Sequence, residues 1–261
     1  MNNPLKYTDP TGESFWRSLG NAFSDAFQAV VNVAVAVVTV AIAVVIIPTA
    51  LAIGTVVGIG QFVGSGFQNS SILNNQFRIV GGLFQGNIGQ IASRLTKELP
   101  QTLMGLGVSL GANALGRVRS VNYYGGATVV QHYQSGWGGF TLASYINGDS
   151  SIEANPNNPL FQHEYGHYLQ SQEFGLSYMR QFALPSLFDT FGDGDHRQHF
   201  AEQDANSRAF TYFNQHIENY NGWNQRNTIN GYNFNNPFSD IANQLALSNN
   251  LKRPRWYRFE F

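Results

Sequence analysis

The chain has 261 residues, enough for one generous domain or two small ones, and it holds no cysteine. That excludes disulfides, thiolate metal sites, iron–sulfur clusters and a cysteine nucleophile, so any metal site must be built from His, Asp and Glu. Charged residues are only 12% of the chain and 15 Lys+Arg stand against 16 Asp+Glu, a net charge of −1 that gives no overall field for a nucleic-acid backbone; no nucleic-acid partner is expected.

The opening string, Asn2-Asn3-Pro4-Leu5-Lys6-Tyr7-Thr8-Asp9-Pro10-Thr11-Gly12-Glu13, reads as an extended, turn-rich leader, because Asn-Pro and Asp-Pro both favour turns. Between Asp25 and Arg78 there is no charged residue. Within that gap Ala29 to Ile47 is rich in Val, Ala and Ile, interrupted by Asn32 and Thr39 and closed by Pro48. About twenty apolar residues suffice to cross a bilayer as a helix. A second apolar piece, Ala50 to Val63, carries Gly54, Gly58 and Gly60, which permit close helix approach. Membrane contact through residues 29–63 is the expectation, with a buried helix of a soluble core as the alternative. A secretory signal fits poorly, since Asp9, Glu13 and Asp25 precede the run.

From Asn75 to Leu115 apolar residues recur at three- and four-residue steps, predicting two helices separated at Pro100. Strand-like stretches follow: Val121 to Tyr124, a Gly125-Gly126 turn, Ala127 to Tyr133, then Phe140 to Ile146 after Gly138-Gly139. These predict a small antiparallel sheet, and the fold class expected is α+β. Beyond Asn219 the chain is Asn-rich and loop-like, ending in a basic, aromatic stretch that includes Lys252, Arg253, Arg255 and Arg258 and reads as a solvated end. Three parts are expected: a boundary segment over 1–13, an apolar helical region over 14–116, and a catalytic-type domain over 117–261.

The chemistry sits in Phe161-Gln162-His163-Glu164-Tyr165-Gly166-His167-Tyr168-Leu169. Asn158 offers an N-cap, Pro159 suits the first helical position and Gly175 is a stop, predicting one helix over about 159–174. On that helix His163 and His167 are four apart and share a face. Two imidazoles can therefore meet one metal ion, with Glu164 beside them as a base for water on the ion. A working zinc site needs a third ligand. A second helix between Gly192 and Glu218, opened by Asp193 or Asp195, puts Glu202 and Asn206 on one face, with Ala205 small enough for close packing. Glu202 is the expected ligand and Asn206 a hydrogen-bond partner for a ligating imidazole; Asp204, His199, Asp195 and His196 are its rivals. From Asp149 to Glu218 there are ten acidic residues against Arg180, Arg197 and Arg208, a local net of −7 that a divalent cation would relieve.

The order of strand, HExxH helix and later Glu-bearing helix resembles the zincin metallopeptidases, in particular the gluzincin branch, over roughly residues 120–220. The resemblance is specific at His163, Glu164 and His167 and looser at Glu202. It implies a zinc cofactor, Glu164 as general base, a peptide or protein substrate lying along the strand at Phe140 to Tyr145, and an oxyanion-stabilising His or Tyr, for which Tyr178 and His199 are candidates. The opening string, with its Asn-Pro-Leu and later Asp-Pro-Thr-Gly, resembles the end of the core of RHS/YD-repeat proteins. That resemblance implies a secreted shell whose variable C-terminal module is an effector, an RHS shell as partner and an immunity protein. The expected function is a zinc metallopeptidase-like effector domain, secreted or membrane-associated. The alternative is a membrane-inserting, pore-forming or translocating toxin domain whose zinc site is structural or self-processing.

Overall fold

The computed structural model describes residues 37–184, 200–218 and 220, with residues 30, 33, 34, 228, 229, 232 and 233 besides. The opening string, the basic tail and the rival ligands His199, Asp195 and His196 lie outside the described residues, as do the helix openers Asp193 and Asp195.

The fold is α+β. Helix α1 runs over Val37–Gly64 and is long and apolar enough to cross a membrane by length and composition. Pro48 does not close it, contrary to the sequence expectation. The turn before it, Ile42–Ile46, is a π-helix in which the Ile47 N–H reaches back to the Ile42 carbonyl, and this widened turn accommodates a residue that has no N–H to give. Helix α1 is not the buried core helix of the alternative reading either: within Ile42–Gly64 only Ile42, Ala50, Gly54 and Gly58 are buried.

Helix α2 (Ser71–Gly81) leads through a 3₁₀ turn, Gly82–Phe84, to α3 (Ile88–Leu95). A capping box opens α3: the Gln90 N–H donates to Asn87 Oδ1 and the Asn87 N–H to Gln90 Oε1, both at 2.9 Å. The next helix is α4 (Leu99–Ala114), so the stretch expected to hold two helices split at Pro100 holds three, with breaks after Gly81 and Leu95. Pro100 sits inside the first turn of α4, where a missing N–H costs nothing.

Four strands follow, β1 (Val118–Tyr124), β2 (Ala127–His132), β3 (Gly139–Leu142) and β4 (Tyr145–Gly148), in the spatial order β1-β2-β4-β3. The Gly125-Gly126 turn joins β1 to β2 with both glycines at positive φ, 53° and 92°, as a tight hairpin requires. The sheet is mixed and not wholly antiparallel. The single strand expected over Phe140 to Ile146 is folded back on itself at Ala143 and Ser144, with Ala143 at φ 52° and Leu142 facing Tyr145. That reversal seats β4 between β3 and β2 and makes it parallel to β2. Strand β3 is left at the edge. Helices α5 (Pro159–Phe174) and α6 (Phe200–His216) complete the set, with a short antiparallel pair, β5 (Thr228–Ile229) and β6 (Tyr232–Asn233).

The sheet lies between two apolar layers because successive side chains alternate faces. Val129 and Ile146 pack with Phe161, Tyr165, Tyr168 and Phe213 of α5 and α6. Val130 and Tyr145 pack with Ile79, Leu106 and Leu110 of α2 and α4 and with Ala50 of α1. This second cluster joins helices before residue 116 to strands after it.

Arg94 is a fully buried guanidinium. It donates to the carbonyls of Gly82 (3.2 Å), Leu83 (3.2 Å), Gln85 (2.5 Å) and Gly126 and so ties the 3₁₀ turn to the β1–β2 hairpin. Replacing it by Met would keep much of the volume and strand four acceptors, two buried and two part-buried. We expect Arg94→Met to lower unfolding free energy by about 3–5 kcal/mol, read by urea denaturation; a loss under about 1 kcal/mol would show that these bonds do not hold the turn.

Candidate metal centre

Helix α5 forms as its sequence predicts. The Asn158 side chain accepts from the Phe161 N–H at 2.9 Å, Pro159 is the first helical residue, and Gly175 ends the helix at φ 53°. His163 and His167 project from one face with ring centroids 4.9 Å apart and planes at 88°. Glu202, in the first turn of α6, brings Oε2 to 3.0 Å from His163 Nε2 and 3.2 Å from His167 Nε2. The three potential ligand atoms lie within 4.8 Å of one another, a group that could hold a metal ion.

The reach of Glu202 depends on how near α6 comes to α5. A Cβ on Gly166 would fall 2.0 Å from the Ala205 carbonyl oxygen and 2.5 Å from its carbon, so the two backbones touch at a point where only glycine fits. Gly166 therefore sets the distance between the two helices as the flanking histidines cannot.

Each imidazole is oriented from behind. His163 Nδ1 lies 2.9 Å from Asn206 Oδ1, the partner expected from sequence, and His167 Nδ1 lies 2.8 Å from Gln170 Oε1. The Gln170 amide can face only one way, because its Nε2 donates to the Ala201 carbonyl and to Asp204 Oδ2, each at 2.8 Å, and both can only accept. An amide oxygen facing Nδ1 requires a proton there, which leaves the His167 Nε2 lone pair aimed at Glu202 and the site. Asp204, a rival ligand in sequence, is spent on Gln170 and on Arg208 Nε at 2.6 Å.

Glu164 is buried beside this group. The Thr141 hydroxyl of edge strand β3 donates to Glu164 Oε2 at 2.7 Å and lies 3.0 Å from its backbone carbonyl. A Cβ on Gly139 would stand 2.8 Å from Glu164 Oε1, so β3 meets this carboxylate through a glycine and a hydroxyl. Tyr178 is buried, with its hydroxyl 3.4 Å from the Thr141 carbonyl. Burial first, and the Glu164 and Glu202 charges next, raise its pKa, which keeps the phenol protonated and able to donate. Gln170, Thr141 and Gly139 were not singled out in the sequence. For Gln170 a signal existed, a polar residue three after His167 on the same helix face; for the two β3 residues none did.

Burial alone would depress both imidazoles, but the hydrogen bond and charge of Glu202, helped by Glu164, raise His163 to about 9 and raise His167 as well. Glu202 would be raised by burial, yet the two imidazoles hold it well below the usual carboxylate range. The signs follow. A histidine raised from 6.5 to about 9 lends stability that is complete below 6.5 and is lost as pH climbs through 9. A carboxylate held below 4.5 lends stability that is complete above 4.5 and is lost as pH falls through its lowered value. A metal needs the same imidazoles neutral, so its contribution runs the other way and grows with pH.

No known family, curated protein or solved structure matches the chain.

Two outcomes test this geometry. In chelator-treated protein the melting temperature should fall from pH 6.5 to 9, while the increment on adding zinc should be larger at pH 8.5 than at pH 6; a zinc increment independent of pH would uncouple the imidazoles from the ion. Gly166→Ala raises helix propensity by roughly 1 kcal/mol, yet it should destabilise by about 1–3 kcal/mol through overpacking and weaken zinc retention. A stabilised Gly166→Ala protein with full zinc affinity would remove the close contact from the argument.

Proposed function

We propose that this chain is a zinc-dependent metallopeptidase-like effector domain. The observation that carries the reading is the convergence of two imidazole Nε2 atoms and one carboxylate oxygen beside a buried, hydroxyl-supported glutamate. Two imidazoles and a carboxylate are a recurrent three-ligand set of catalytic zinc, and the His167 tautomer fixed by Gln170 suits it. His163, His167 and Glu202 would hold the ion, which when bound supplies acidified water and polarisation of a carbonyl.

The chain's own residues supply the rest. Glu164 is the general base, taking the proton of the attacking water and passing it to the leaving amine. Thr141 occupies Glu164 Oε2 and orients the carboxylate. Asn206 and Gln170 keep the imidazole rings aimed, and Tyr178 is a donor for the developing oxyanion. Strand β3, last in the sheet order, offers backbone groups to an extended peptide, which accounts for a peptide or protein as the substrate class. The RHS-type opening string fits a secreted effector carried by a shell and restrained by an immunity protein.

Catalysis and ligation separate at two residues. Glu164→Gln should retain about one zinc per chain and its fold while losing roughly 10²–10⁴ in the rate of casein cleavage. Glu202→Gln should lose zinc as well as activity, since a neutral amide oxygen is a poorer ligand than a carboxylate. Zinc analysis and a casein assay on both variants decide it: metal lost from Glu164→Gln and kept with activity in Glu202→Gln would reverse the roles.

A further inference from the structure

The apolar surface of α1 is not needed by the chemistry above and calls for its own account. Eleven large apolar residues of α1 are exposed, Val44 at 68% and Val56 at 70% among them. At 100° per residue Ile53, Val56, Val57, Ile59 and Val63 fan over roughly half the helix circumference, and no charged residue lies between Asp25 and Arg78 to give that half a polar stripe. Exposed apolar surface of this extent marks an interaction site. The same helix is long and apolar enough to enter a bilayer by length and composition.

The other side of α1 is committed to the body of the protein. A Cβ on Gly54 would fall 2.2 Å from Gln76 Oε1, one on Gly58 2.7 Å from Leu73 Cγ, and one on Gly107 of α4 2.7 Å from Ile42 Cγ2. These contacts run along the helix, so a helix that keeps them lies lengthwise on the protein and does not project away from it.

Beneath its amino-terminal half is a cavity of about 880 Å³, lined by Ile42 and Ile46 of α1, Val108 of α4, and Leu115, Trp137 and Phe140. Its lining includes Arg117 and, among the described residues, no carboxylate. His132, Tyr133 and Gln134 stand with Arg117 on its polar side, and a mostly apolar cavity with a cation and no acid at its wall fits an acyl chain carried by an anionic head group.

We propose that α1 and this cavity form a bilayer-docking face: α1 lies along the membrane with its exposed half in the apolar layer, and an acyl chain of an anionic phospholipid enters the cavity beside Arg117. Alternation along β3 joins this face to the candidate metal centre, since Phe140 lines the cavity while Gly139 and Thr141 meet Glu164. The proposal stands whether or not the centre is a peptidase.

The test is flotation of the full chain with phosphatidylcholine/phosphatidylglycerol vesicles, some with brominated acyl chains. The protein should float, and brominated lipid should quench Trp137, seen as the fluorescence difference from Trp137→Phe. Val45→Glu combined with Val56→Glu should cut flotation at least about ten-fold with unchanged circular dichroism and melting, and Val45→Ser with Val56→Ser replaces it if the glutamates lower the melting point. Failure of the full chain to float, equal flotation of the substituted protein, or floating protein without Trp137 quenching would each overturn the proposal. So would a stable dimer that the double substitution dissociates, with no flotation, because the face would then belong to a second copy.

Discussion

The contact between Gly166 and the Ala205 carbonyl is the constraint on which the candidate centre depends. A carboxylate on a second helix can reach two imidazoles on the first only if the axes come closer than ordinary side chains permit. With no side chain on Gly166 and a methyl on Ala205, the helices meet backbone to backbone, and Glu202, less than one turn before Ala205, arrives at 3.0 and 3.2 Å from the two Nε2 atoms. The rest of the fold keeps α5 from giving way under that approach. Phe161, Tyr165 and Tyr168 fix its inner face against the sheet. At its far end the buried Glu98 carboxylate accepts from Ser171 at 2.6 Å, and Gln101 donates to the Gly175 carbonyl at 2.7 Å, which pins the helix terminus to α4.

Much of the polar burial in this protein positions groups and adds little to stability. Buried charges and amides tend to cost about as much in desolvation as they return, unless every partner is present. Here the partners are directional: Gln170 can satisfy Ala201 and Asp204 only by presenting its oxygen to His167 Nδ1. A proton and a divalent cation would compete for one set of lone pairs facing Glu202; burial works against protonating either ring, and the charge and hydrogen bond of Glu202 work for it.

The motif helix was legible in the sequence almost to the residue, because Asn158, Pro159 and Gly175 are local signals with local causes. Glu202 and Asn206 were legible through their four-residue spacing and the small Ala205 between them. What escaped were relations set by tertiary contact. The reversal at Ala143 places a non-glycine residue at φ 52°, which no turn residue advertises, and it turned an apparently continuous strand into two and the sheet from antiparallel to mixed. Pro48 looked like a stop because a π-turn capable of absorbing it has no sequence signature. The packing of Tyr145 and Val130 with Ala50, Ile79 and Leu110 likewise has no local signature.

Strand β3 shows how little backbone is needed to keep two environments apart. Its side chains alternate, so Thr141 reaches the Glu164 carboxylate while Phe140, one residue away, enters an apolar cavity. An unpaired strand edge is ordinarily a hazard, inviting other strands to add to it. Here the strand is four residues long, and one of its residues is a glycine that lies against the Glu164 carboxylate. A short edge limits adventitious pairing. The shift of a single residue in its register would exchange the hydroxyl at Glu164 for a phenyl ring.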